Sequence, residues 1–511
     1  KLPYNLDAEK SVIGSMLMDR DAIVDVAAQN PGQEAVVLTT TAPYWMVQTP
    51  DWITPDATTG YGEQSIITFT IASNFKNENT DMAARSGEIK ISGGMTSVII
   101  TVNQLGYTAP VDPDASIGGI TDIDEFKDFV AAVNNGRKLS RWYNSDGEVE
   151  LLTDIDLSDF TEWEPIGMPE KVTYGNNSLT YTGSAFKGKF NGGGHTISNF
   201  NLTAAVGKDA AVGFFGMLEG ATVKDLTING KMSISATGAG SAGMLAGAMI
   251  STTVENVKVN ADVEFKGTIT SDRFATGGVV GFTYGTGDAN SLIKDCVMTG
   301  NVNAVSGDGN TANGATAVVY GGITGFSTTP AESANVIANC ENNGKITASL
   351  GRCSGIVATA HAGTTISGCV NNADQVNTFG DGRIGNIVSV IGTKGRIEDC
   401  INNGNLTTTT AKTTTGAIAA LLNESHVVIK GGRNNGTIIG GNTSTIGLIA
   451  ANFSKFSSVS GFTVSGKIGY YKEDGNHEMQ DLNEGTYMKF IGKITSANLA
   501  KVTDIKFEPA K

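Results

Sequence analysis

The sequence predicts an all-β protein, a β-sandwich followed by a parallel β-solenoid. Three observations carry that prediction. A Gly-centred apolar motif recurs from "VGFFGML" (Gly213) through "GGVVGFT" (Gly278) to "GLIAANF" (Gly447), at intervals of 30, 35, 44, 33, 30, 31 and 31 residues. Each copy is followed by a second short strand pattern, as in "TTVENVKVNA" and "GRIEDCINNG". Ahead of the repeats, residues 22–107 alternate apolar and polar side chains with period two, the pattern of half-buried strands.

Composition narrows the function classes. With 511 residues and 40% apolar content, the chain can bury a large core and is not disordered. A net charge of −15 and the absence of a Lys/Arg cluster along the sequence argue against nucleic acid as a partner. No run of 18 apolar residues exists, so no transmembrane segment is expected. Five cysteines in 511 residues do not make a disulfide framework. The chain opens at "KLPYNLDAEK" without a signal peptide, and an export signal with a lipid anchor upstream of Lys1 is consistent with that opening.

Taken in order, residues 1–21 form an unassigned N-terminal segment and 22–108 a sandwich of six or seven short strands, among them "EAVVLTT", "SIITFTIAS" and "SVIITVNQLG". Residues 109–119 are a linker. Residues 120–148 form a helical cap, with "ITDIDEFKDFVAAVNNGRKL" helical by the spacing of Ile123, Phe126, Val130 and Val133, and Thr121 to Asp124 matching a capping box. The solenoid spans 149–470, and the pattern change at "YYKEDGNHEMQDLNEG" marks a C-terminal cap over 471–511.

One column of the repeat decides between packing and metal chemistry. Four residues before each terminal Gly or its equivalent stand Leu226, Val257, Cys296, Cys340, Cys369, Cys400, Gly432 and Phe462. A metal or redox site does not let Leu, Val or Phe replace its ligand, whereas a core position does, because thiols pack as small hydrophobes. The recurring pairs Asn342-Asn343, Asn371-Asn372, Asn402-Asn403 and Asn434-Asn435 are expected to stack as amide ladders at a corner. Asp225, Asp295 and Asp399 share a column with Asn256, Asn339 and Gly368, which reads as a hydrogen-bonding turn position.

"WMVQTPDWIT", "RSGEIKISGG" and "SVIITVNQLG" resemble the BACON domain, which implies an immunoglobulin-like β-sandwich common in gut Bacteroidetes and a carbohydrate- or mucin-binding role. "FKGKFNGGGHTISNFNLT" (186–203) and "VGFFGMLEGATVKDLTING" (212–230) resemble GLUG-type repeats, which implies a right-handed parallel β-helix of a surface or secreted protein. "LPYNLDAEKSVIGSMLMDRDAI" (2–23) resembles the opening of replicative DNA helicases, but no G-x-x-x-x-G-K-[ST] follows and helicase function is not expected.

Motif hits for catalysis fail their context. "GAGSAG" lacks a strand–helix unit, and "HEMQD" lacks the second His of a zinc motif. His195 in "GGGHTI" is expected to pack with a hydrogen bond. No catalytic residue, metal or cofactor is assigned. The candidate binding residues are Trp45 and Trp52 as sugar-stacking rings, and Asp288, Asn290, Asp308, Asn310 and Asn313 in the loops that swell one repeat to 44 residues. The expectation is a monomeric binding and adhesion protein at the cell surface (outer membrane) or outside the cell, engaging a glycan or host surface ligand. The alternative is a carbohydrate-active enzyme, a polysaccharide lyase or glycoside hydrolase, on the β-helix.

Overall fold

Period-two alternation closes the N-terminal strands around a shared core. The computed structural model describes residues 21–26, 32–39, 43–61, 64–74, 82–93, 96–106, 117–160, 163–207, 209–267, 273–306, 318–330, 334–380, 382–410, 412–423, 426–441, 444–453, 456–471, 477–480, 491–494 and 501–508. The helicase-like stretch therefore lies almost wholly outside the described residues. The chain divides into two units, 1–113 with 135–138 and 114–134 with 139–511.

In the first unit, strands β1 (Asp21–Val26), β2 (Gly32–Thr39), β3 (Trp45–Gln48), β4 (Ile53–Pro55), β5 (Thr59–Gly60), β6 (Gln64–Ile71), β7 (Arg85–Gly93) and β8 (Thr96–Gln104) form two sheets, ordered β1-β8-β7-β3-β5 and β2-β6-β4. Alternate side chains of both sheets, including Trp45, Val47, Ile67, Phe69, Ile89, Ile91 and Val102, make one core.

The second unit begins with helix α1 (Ile123–Asn134). Its cap is Asp122 rather than the expected Thr121. The Asp122 carboxylate accepts the backbone N–H groups of Asp124 and Glu125 at 3.0 and 2.9 Å, and the Thr121 hydroxyl supports it from the other side. Phe126 and Phe129 enter a cluster of rings from the first coils: Phe126 stacks on Phe214 at 5.9 Å, and Phe129 meets Trp142 and Phe190 at 5.7 Å. Glu125 fixes the helix to the following segment. Its carboxylate accepts from Arg141 Nη2 (2.6 Å), Arg141 Nε (3.1 Å) and the Trp142 indole N–H (2.8 Å).

The rest winds as a parallel β-solenoid with three faces. Among the described residues, the first face stacks eight strands from Ala210–Val212 to Thr445–Gly447, and the second stacks nine from Phe215–Glu219 to Ile491–Ile494. The third begins with long strands such as Thr222–Ala236 and later breaks into short ones, such as Arg396–Glu398, Ile401–Asn402 and Leu406–Thr408. Parallel pairing runs past the expected boundary at Tyr470. Ile491–Ile494 pairs with Ala450–Phe453, and Lys501–Thr503 with Ser458–Ser460. An antiparallel strand, His477–Gln480, interrupts the period there and hides it from the sequence.

Register corrects one alignment. The first-face glycine column runs Gly243, Gly277, Gly321, Ser354, then Gly385, Gly416 and Gly447. The motif centres Gly278, Gly322 and Gly355 are thus one residue late. The column sits where the chain turns sharply between faces: a Cβ at Gly277 or Gly416 would run into the carbonyl oxygen three residues ahead.

The turn column is confirmed by its backbone. Asp225, Asn256, Asp295, Asn339, Gly368, Asp399, Gly431 and Gly461 all have φ between 51° and 67°, the left-handed region that Asn, Asp and Gly tolerate. The next residue points inward. Leu226, Val257, the four cysteines and Phe462 are each at most 1% exposed, and the thiols are free. Burial pushes the Cys340 and Cys400 thiols up.

Both members of each Asn pair form ladders. Inside, Nδ2 of Asn342, Asn371 and Asn402 donates to Oδ1 of the next residue in the column at 2.8, 3.0 and 2.8 Å. Each also donates to its own i+2 carbonyl. Outside, Asn372, Asn403 and Asn435 donate back along a parallel exposed ladder at 2.9, 2.6 and 2.7 Å.

The two ladders give contrasting predictions. Asn402→Ala removes four hydrogen bonds, including those accepted from Asn371 and Asn386, and is expected to cost about 2–4 kcal/mol in denaturant unfolding. Asn403→Ala, one residue away but exposed, is expected to leave the midpoint unchanged. A second prediction concerns pH. The Arg141 bridge holds the Glu125 carboxyl below its ordinary range, so its contribution is full above the unfolded pKa and is lost as pH falls through the folded one. Glu125→Gln should lower the melting temperature at pH 7, and melts at decreasing pH should show that deficit closing.

Candidate binding surfaces

Side chains on β3 alternate between the sandwich core and solvent. Trp45 and Val47 point inward, so Tyr44 and Met46 face out, 37% and 42% exposed. β5 pairs beside β3, with Trp45 opposite Gly60 and Met46 opposite Thr59. That pairing brings Tyr61, 78% exposed, against Tyr44 with ring centroids 5.2 Å apart and planes tilted by 53°. Two exposed aromatic faces and a thioether thus share one edge of the five-stranded sheet. Isolated exposed hydrophobes are ordinary, but a paired aromatic patch at a sheet edge is the kind of surface that binds. Sequence reasoning missed it because it favoured tryptophan. The available signal was the position of Tyr44, one residue before an inward Trp.

The two tryptophans take different places. Trp45 is 3% exposed and packs against Gly60 in the core. Trp52 is half-buried, and the Arg85 guanidinium lies over its ring, 4.3 Å from the centroid. Asp288 and Asn290 lie together in the second unit, exposed in a tight turn that Ser251 of the preceding coil secures by donating to the Ala289 carbonyl at 2.7 Å. Asp308, Asn310 and Asn313 lie outside the described residues.

An acidic groove of about 570 Å³ runs along the turn column, lined by Lys224, Asp225, Glu255, Asn256 and Asp295. Its side chains already have partners within the protein. Lys294 meets Glu255 at 2.8 Å and Asp295 at 3.1 Å, Lys224 meets Glu148 at 2.9 Å, and Asn256 donates to Asp225 at 2.6 Å. These side chains serve the turn and link coil to coil. His195 pairs with Asp154 at 3.1 Å, beside the Thr196 N–H on the same carboxylate oxygen. Among the described residues no group of three or more His, Cys, Asp or Glu is placed to hold a metal ion. Among them, too, no helix is long and apolar enough to cross a membrane.

No curated protein matches the chain. Among solved structures, the "putative immunoglobulin A1 protease from Bacteroides ovatus" is similar over 76% of this chain and 84% of that one, at 16% identity and a TM-score of 0.36. The "Bacteroides ovatus GH5 xyloglucanase in complex with a XXXG heptasaccharide" is similar over 20% of this chain, at 21% identity and a TM-score of 0.15; this chain spans 20% of its length. Residues 44–105 match the BACON family, described as "Putative binding domain, N-terminal", and the parallel β-solenoid follows that match.

Proposed function

We propose that this protein is an exported or cell-surface binding and adhesion protein, a monomer that engages a glycan or host surface ligand through its N-terminal sandwich. The observation that carries the reading is the exposed Tyr44–Tyr61 pair, set within the stretch matched by a family described as a binding domain. Aromatic rings of this kind offer flat apolar faces to the C–H faces of a sugar, while the tyrosine hydroxyls bond to its oxygens. Met46 extends the apolar strip, and Trp52, beside Arg85, is the next ring along the same domain to engage a ligand. On the solenoid, the exposed turn at Asp288 and Asn290 is a separate polar candidate.

The test is a glycan array with the full chain, followed by titration of the best ligand into Tyr61→Ala and Tyr44→Ala. Either change should weaken binding by about tenfold, the usual cost of removing a central aromatic contact. The melting temperature of Tyr61→Ala should stay unchanged, because the ring is largely in solvent. An array on which the wild type retains nothing would end the glycan reading, and undiminished binding by both variants would remove the tyrosine pair from it.

A further inference from the structure

A hairpin formed by Pro169–Tyr174 and Leu179–Gly183 lies on the solvent side of the first two solenoid faces. Val172 and Leu179 share one apolar cluster there with Ala211, Met217, Ala275, Phe282, Val319 and Phe326, a second layer separate from the main core. At its tip the Asn176 carbonyl accepts from the Thr328 hydroxyl at 2.7 Å, and Asn177 Oδ1 pairs with His361 Nδ1 at 2.9 Å.

Beyond that tip the outward column of the first face changes character. Its register runs Ala275, Val319, Arg352, Arg383, Thr414. Arg352 and Arg383 are direct parallel partners, which sets their backbones about 4.8 Å apart. A third cation joins them from Arg273, two residues before Ala275. Its guanidinium lies over the Phe326 ring at 4.2 Å and donates from Nη2 to Asn176 Oδ1 at 3.0 Å. Arg352 Nη1 donates to the Thr359 hydroxyl at 3.2 Å, and Thr359 is the register partner of Phe326.

The partners of Arg273 and Arg352 (Asn176, the Phe326 ring and the Thr359 hydroxyl) are all neutral. Among the described residues none of the three cations has a carboxylate partner, and the Nε–H groups of Arg273 and Arg352 are buried without a protein acceptor. Burial pushes Arg273 down to about 10 and Arg352 to about 9, with repulsion from Arg383 and Arg273 adding to the fall at Arg352; both remain cations at neutral pH. Like charges on directly paired positions destabilise a sheet. Yet none of the acidic side chains among the described residues pairs with these arginines, in a chain that carries 51 acidic residues against 36 basic ones. Arginine rather than lysine fits the task, since its planar fork bonds an oxoanion with two parallel N–H groups, and stacking on Phe326 orients one such fork in advance.

We propose that Arg273, Arg352 and Arg383 form an oxoanion-binding site beside the hairpin tip, which takes a free inorganic oxoanion or the carboxylate or sulfate group of an acidic saccharide. The site is separate from the tyrosine pair and does not depend on that reading.

The test uses the full chain. Thermal melts in sodium sulfate are compared with sodium chloride at equal ionic strength, and sulfate, oligogalacturonate, a sulfated disaccharide and a neutral oligosaccharide are titrated by calorimetry. Sulfate should raise the wild-type melting temperature more than chloride does, and the excess should shrink in Arg352→Gln/Arg383→Gln to the general salting-out effect of sulfate. In chloride that double variant should melt no lower than wild type, because repulsion is relieved. Arg352→Lys keeps the charge but loses the fork and should bind the same anion about tenfold more weakly without a change in melting temperature. Sulfate binding without saccharide binding supports the site and assigns it a free ion, while binding of the acidic saccharides assigns it the sugar source. Equal anion responses in wild type and double variant overturn the site. So does retention of neutral glycans alone, which leaves the tyrosine reading standing.

Discussion

Each coil of the solenoid must return to the position of the coil beneath it, because backbone N–H and C=O groups find their partners only in the neighbouring coil. That pairing requirement fixes which residue lies over which, and every other regularity follows from it. A position that needs a left-handed backbone needs one in every coil, so Asp, Asn and Gly alternate from Asp225 to Gly461. A tight corner recurs from Gly243 to Gly447: a Cβ would clash at Gly277 and Gly416, whereas one coil admits Ser354 there. An inward position stays dry throughout, and four successive thiols fill it between Val257 and Gly432.

The same requirement explains how amides survive inside. A buried side-chain amide is costly unless its donors and acceptor are met. In register, each Asn offers one N–H to its own turn and the other to the oxygen of the next Asn, so one residue's need satisfies its neighbour's. The ladder ends where the column does. Met298 pairs with Asn342 at one end and Val464 with Asn434 at the other. Asn342 Oδ1, facing the methionine end, has no side-chain or backbone donor among the described residues. Buried polar columns of this kind resist a slip of register more strongly than an apolar core, since a shifted coil would strand every amide at once.

Features tied to the repeat were legible in the sequence. The cysteine column, the Asn pairs and the turn position could be aligned by eye because their residues recur one coil apart. The glycine column slipped by one residue at Gly278, Gly322 and Gly355, because each follows or precedes another small residue and only backbone pairing tells the two apart. The helix was legible from its apolar spacing, but its cap was not, since Thr121 and Asp122 are both good caps and only the carboxylate reaches two N–H groups. The candidate binding surfaces were hidden for a different reason. Tyr44 and Tyr61 meet only across a strand pair. Arg352 and Arg383 are 31 residues apart and Arg273 is 79 before Arg352, so a search for basic runs along the chain finds nothing. The signal lay in the repeat itself: "GRCSG" and "GRIGN" put arginine at one station in consecutive coils.

From Gly385 to Gly447 the coils settle to a constant 31 residues. Such equal turns are interchangeable parts. Adding or excising one whole period leaves each remaining turn with a neighbour of the same outline. The molecule can therefore grow or shorten over evolutionary time without redesign of either terminus, and its reach becomes a matter of how many copies the gene retains.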